Sequence, residues 1–144
     1  MKAALKNSLK DAMKAKDQGK MDLIRSLLSA IQYEEIQNGT DELDETNIVA
    51  VLKRELKKKQ EEIEFASKAG RNEVVEQGKK DVKVIESFLP KQMSSEELES
   101  QIKNFLTSTP GANMGVVMKF LKEKFDGQYD GKTASEITKR VINQ

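Results

Sequence analysis

The stretch KFDGQYDGKTASEITKR, residues 124–140, holds the residue types best suited to gripping an anion. It contains Gly131-Lys132-Thr133, the tripeptide that closes many phosphate-binding loops. Such a loop needs four residues between its first glycine and the Gly-Lys pair, so that successive backbone N–H groups can curl around a phosphate. Here Gly127 and Gly131 are separated by three residues, and the required position is held by Asp126. The loop must also follow a buried strand, whereas MGVVMKFLKEKF before it has helical spacing. Asp126 and Asp130 would set carboxylates where phosphate oxygens belong, an unfavourable field. The stretch therefore reads as a connection between two helices.

Cations nevertheless crowd this connection. Lys119, Lys122, Lys124 and Lys132 border it, and Lys139 and Arg140 follow on the final helix. The start of that helix offers N–H groups that favour an anion. Tyr129 is the aromatic residue placed in the turn, where a ring can stack on a base or ribose. Two readings follow from these residues. They form a rim that holds a phosphate backbone, or they are solvated faces balanced by Glu123, Asp126 and Asp130.

A second basic stripe, Lys53, Arg54, Lys57 and Lys58, lies in LKRELKKKQEEIE and is followed by Glu61, Glu62 and Glu64. Lys57 with Glu61 and Lys58 with Glu62 have the i,i+4 spacing of surface pairs worth about 0.2–0.5 kcal/mol each. The stripe is either such decoration or a further phosphate-touching surface. DELDE, residues 41–45, gathers acids but lacks the alternating spacing and glycine of a calcium loop, and acids suit a helix start.

Composition removes most catalytic chemistry. The chain of 144 residues has neither Cys nor His, so it lacks the usual thiolate nucleophile, the commonest general base and the commonest soft metal ligands. No Ser or Lys has an identifiable base, and the expectation is no catalytic residue, no metal and no cofactor. Lys and Arg number 25 against 24 Asp and Glu, with 18 and 17 of these in residues 1–93 and 7 and 7 in residues 94–144. Neither part is a bulk polycation, so any nucleic-acid binding must come from local patches. No apolar run reaches 18 residues, which predicts no membrane partner. The start, MKAALKNSLKDAMKAK, lacks the apolar centre of a secretory signal; it is basic and amphipathic like a transit peptide, but the first helix of a bundle explains it better. The absence of Cys fits a reducing compartment, and the expected location is cytoplasmic.

The elements that must position these residues are all helical. Leu5, Leu9, Ala12 and Met13 make one stripe, on a helix expected to end near Gly19. Met21, Ile24, Leu27, Leu28 and Ile31 make a second, stopped by Asn38-Gly39. A third helix starts at the N-cap Asp44, with Leu43 and Ile48 spaced as a hydrophobic staple, and reaches Gly70, a rod of about 39 Å. A fourth runs from Asn72 to Pro90. Gly78 in its middle costs up to about 1 kcal/mol unless another helix packs closely there. Beyond Pro90 the helices shorten. Ser94 and Glu97 make a capping box, Thr109-Pro110-Gly111 a break, and Thr133 with Glu136 a second box. The fold class is all-α: an N-terminal helical hairpin bundle, residues 1–93, followed by a compact three-helix lobe, residues 94–144.

Several of these pieces together, LIRSLLSAI (23–31), the KAGR turn (68–71), SFLPKQMSSEEL (87–98), MGVVM (114–118) and GQYDGKTAS (127–135), resemble the GatB/YqeY-like family of small bacterial proteins. The last two pieces look like the tail domain of the B subunit of the amidotransferase that converts mischarged glutamyl- or aspartyl-tRNA. The resemblance implies a two-lobe helical fold and a tail lobe suited to tRNA contact. It implies a partner as well, tRNA and with it a synthetase or amidotransferase. The family pattern often has basic residues at positions 126 and 128, where this chain has Asp126 and Gln128. The catalytic part of the amidotransferase subunit has no counterpart here. Amide transfer from glutamine is thus the reading least supported by the residues. The two stronger ones are a non-catalytic tRNA-binding accessory module, whose grip comes from the C-terminal lysines, and a bundle that docks on another protein.

Overall fold

The computed structural model describes residues 1–144. It contains seven helices and no strand: α1 (Lys2–Lys14), α2 (Gln18–Asn38), α3 (Glu45–Lys68), α4 (Asn72–Phe88), α5 (Ser95–Ser108), α6 (Met114–Phe125) and α7 (Gly131–Ile142). The expected all-helical class is the class observed. The chain divides into two compact units, Met1–Leu89 and Pro90–Gln144. The division falls four residues before the expected one, because the segment ahead of α5 is tied to the later unit. The Met93 N–H donates to the Gln128 carbonyl at 2.8 Å, and the Gln92 side-chain amide donates to the Gly127 carbonyl at 2.7 Å.

In the first unit the apolar stripes of α1 to α4 meet in one core built around Leu5, Ile24, Leu27, Ile31, Leu52 and Ile85, all essentially buried. The first helix stops earlier than expected, at Lys14 rather than near Gly19. Lys16 takes the left-handed conformation at φ 56°, its N–H reaching the Met13 carbonyl and that of Asp17 the Ala12 carbonyl. These two bonds satisfy the free carbonyls at the helix end. Asp17 then caps α2 by accepting from the Lys20 N–H at 3.1 Å. Gly19 therefore lies in the first turn of α2, where an added Cβ would sit 2.8 Å from the Gln77 amide nitrogen of α4.

α3 begins as expected, with Asp44 accepting from the Asn47 N–H at 2.8 Å and with Leu43 and Ile48 in the core. It crosses α4 closely at Gly78. A Cβ there would meet Ile63 Cγ1 at 2.5 Å, so the glycine that weakens the isolated helix is what lets the two helices approach. Beside the crossing, the Lys59 ammonium lies between Asp81 at 3.3 Å and Glu62 at 3.2 Å, and Gln77 donates to Asp81 at 3.0 Å. Burial works to lower the Lys59 pKa, but the two carboxylates outweigh it and raise it.

Glu35, like Asp81, is a buried carboxylate of this unit, 5% exposed on α2. Its two oxygens each lie 3.0 Å from Lys2 Nζ of α1, and one accepts from the Leu43 N–H at 3.1 Å. One carboxylate thus joins α1, α2 and the segment leading into α3. The hydrogen bond from Lys2 is the main cause of a pKa below the ordinary glutamate value, with burial opposing it.

Two predictions follow from this packing. Gly78→Ala should destabilise the chain by roughly 1–3 kcal/mol through overpacking, against a helix-propensity gain of about 1 kcal/mol, as read by urea unfolding. An unchanged or raised midpoint would show that Ile63 gives way freely. The second concerns Glu35, whose folded pKa is depressed. Its contribution is present above the unfolded value of about 4.3 and is lost as pH falls through the lower folded value. Thermal melts of Glu35→Gln should therefore show a shallower loss of stability on acidification below about pH 4.3 than the parent chain. Parallel acid limbs in the two proteins would contradict this.

Candidate nucleic-acid interface

The second unit packs α5, α6 and α7 around Leu98, Ile102, Val117, Leu121, Ala134 and Ile137. The Phe105 and Phe120 rings stack with centroids 4.2 Å apart, and Phe125 stands edge-on to Phe120 at 6.0 Å. Ser94 caps α5 by accepting from the Glu97 N–H at 3.1 Å, and Asn113 caps α6 by accepting from the Val116 N–H at 3.0 Å. With one side of each short helix committed to the core, its charged residues must occupy the remaining arc.

Residues 126–130 connect α6 to α7 and turn at Gly127, φ 78°, without the cradle of a phosphate loop. Here the structure corrects two expectations. The cap of α7 is Asp130, not Thr133 with Glu136. One Asp130 oxygen accepts from both the N–H and the hydroxyl of Thr133 at 3.0 Å each. A side-chain acceptor three residues before Thr133 reaches a free N–H of the first turn, and this sets the helix start. The same carboxylate occupies the end of α7 that was expected to attract a foreign anion. Asp130 is that anion, supplied by the chain itself.

Tyr129 also differs from its expected role. The residue is half-buried and packs against the core of the unit, so part of its surface is committed there. Burial raises its hydroxyl pKa, and the negative charge of Asp126 adds to the shift. A tyrosine four residues after Phe125, the end of an apolar stripe, carries a sequence signal for core packing that its place in the turn obscured.

The cations fall into two groups. Arg140 is tied to Glu99 of α5, with the guanidinium 3.1 Å from the carboxylate, and Lys103 approaches the same residue at 3.4 Å. Burial works to raise the Glu99 carboxyl, but these two positive charges outweigh it and hold its pKa below the usual value. Arg140 therefore serves an intramolecular pair while its side chain stays exposed. Lys119, Lys122, Lys124, Lys132 and Lys139, by contrast, are exposed and form no ion pair. Lys119 and Lys122 are one turn apart on α6. Lys132 and Lys139 are two turns apart on one side of α7, about 10 Å along its axis. Lys124 lies with its ammonium 6.0 Å from the Phe120 ring centroid, at the outer limit of a cation–π contact.

The stripe on α3 is mostly engaged. Arg54 reaches Glu34 of α2 at 2.7 Å and Lys58 reaches Glu55 at 3.3 Å, while Glu62 is taken by Lys59. The expected pairs of Lys57 with Glu61 and Lys58 with Glu62 are not the ones formed. Lys53 is half-buried, and Lys57 alone of the four stays exposed without an ion pair. No three acidic side chains converge into a metal-binding group. No helix is long and apolar enough to cross a membrane.

The chain has known kin. Residues 2–142 match the family model described as Yqey-like protein, and the chain belongs to that family. Among its relatives is altered inheritance of mitochondria protein 41, mitochondrial, from Lachancea thermotolerans. That protein is 30% identical over 126 residues, 86% of this chain and 67% of the relative. Its namesake from Kluyveromyces lactis is 31% identical over 127 residues, covering 86% and 68%. The one from Eremothecium gossypii is 33% identical over 115 residues, covering 76% and 63%. By their names these relatives are mitochondrial proteins.

Proposed function

We propose that this protein is a non-catalytic accessory module that binds tRNA through the lysines of α6 and α7. The observation that carries the proposal is the set of exposed lysines left without a carboxylate partner, Lys119, Lys122, Lys124, Lys132 and Lys139, on two neighbouring helices of one small unit. A lysine already paired gains little from a phosphate, because one ion pair replaces another. An unpaired lysine adds the full counterion-release contribution. The choice of tRNA over other nucleic acids rests on the likeness of MGVVM and GQYDGKTAS to the tail of the tRNA-dependent amidotransferase B subunit. The proposed module works in the cytoplasm, where it meets tRNA and an enzyme that acts on it, a synthetase or an amidotransferase. Amide transfer itself is not part of the proposal.

Electrophoretic shift with unfractionated tRNA at increasing salt tests the reading. Neutralising about four phosphates gives a slope of log K against log salt near −3 to −4. Lys122→Glu, Lys132→Glu and Lys139→Glu combined should abolish the shift while leaving the thermal melt close to that of the parent, because all three side chains are exposed. No shift at low salt, or a shift that the triple variant retains, would refute the assignment.

A further inference from the structure

We infer that the groove between α3 and α4 in the first unit is a docking site for an amphipathic helix of a partner protein, one with an apolar ridge flanked by acidic residues. The inference is independent of the tRNA reading, which concerns the other unit. The groove is an open depression of about 560 Å³ on one side of the helix pair. Ile63 of α3 and Val82 of α4 contribute its apolar floor. Both are half-buried and lie outside the packed core of the unit. Gln60 stands on the α3 side, and Lys79, Lys80 and Lys83 stand on the α4 side.

The charges around the floor do not cancel. Glu76 is engaged by Lys79 at 3.7 Å, and on α3 Glu64, one turn beyond Gln60, is engaged by Lys68 at 3.3 Å. Lys80 and Lys83 are exposed and form no ion pair. Glu86 is the one lining carboxylate without an ion pair, so Lys80 and Lys83 leave the groove with a net positive charge. A complementary occupant is therefore acidic at its flanks. The apolar floor selects the class of occupant. A nucleic-acid backbone would cover Ile63 and Val82 with phosphate and sugar, whereas a helix inserts an apolar ridge between two others and leaves its flanks for the lysines. From Glu76 to Glu86 the groove follows about 15 Å of α4, room for roughly three turns of a third helix.

The test uses the full chain, labelled with nitrogen-15, and a synthetic peptide of about 14 residues with leucines along one helical face and glutamates on both flanks. The acidic peptide should bind and shift amides within 57–64 and 76–86. The same peptide with every glutamate replaced by lysine should not. Lys80→Glu combined with Lys83→Glu should weaken the acidic peptide by about tenfold or more, equivalent to about 1.4 kcal/mol. Val82→Ser should weaken both this binding and its salt-independent part, giving a second variant if the first alters the fold. Equal binding of the two peptides, shifts elsewhere in the chain, or an unchanged affinity in both variants would overturn the inference. Shifts of the groove amides by unfractionated tRNA but not by the acidic peptide would also overturn it, in favour of a nucleic-acid surface.

Discussion

Each helix of this protein has only a narrow apolar stripe to bury, and the rest of the structure follows from that constraint. With 34% of residues charged, a helix can satisfy its core with one arc and must present charge on the remainder. The two units solve the problem separately, each closing a small core with few aromatic residues. Where two stripes are too thin to fill the space between helices, the backbones move together instead, as at Gly78 against Ile63. Where a charge cannot leave the core it is given partners, as Glu35 is by Lys2 and the Leu43 N–H.

What remains on the surface is sorted by pairing. Arg54, Lys58, Lys59, Lys68, Lys79, Lys103 and Arg140 all have a carboxylate within 4 Å. Exposed pairs of this kind contribute little to stability, about 0–1 kcal/mol each. Their larger effect is to withdraw those cations from other partners. Of the exposed lysines left over, one set lies on α6 and α7 in the second unit and another beside the α3–α4 groove in the first, while Lys6, Lys10, Lys14 and Lys16 at the start of the chain are exposed and form no ion pair either. The two sets differ in what accompanies them: open helix faces in one case, an apolar floor in the other.

Helix number, helix type and most of the core stripes were legible in the sequence, because a 3.6-residue period and caps such as Asp44 and Ser94 act over a few residues. The first helix end was not. Gly19 looks like a terminator, but Lys16 supplies the left-handed turn and Asp17 supplies the next cap. The start of α7 was misplaced for a similar reason, since Thr133 resembles a cap until Asp130 is seen to hold it. Glu35 could have been noticed, as it stands four residues after Ile31 on a stripe that is otherwise apolar. Which lysines lack a partner was not legible. Arg140 with Glu99 and Arg54 with Glu34 pair between helices, across 41 and 20 residues of chain, where no local spacing rule applies.

The central claim is that the second unit holds RNA through unpaired lysines. It is tested most directly by ultraviolet crosslinking in intact cells, followed by mass spectrometry of the nucleotide-bearing peptides and sequencing of the attached RNA. The expected result is tRNA attached to peptides from residues 114–142. Adducts confined to residues 1–89, or the recovery of no RNA from a well-crosslinked sample, would contradict it.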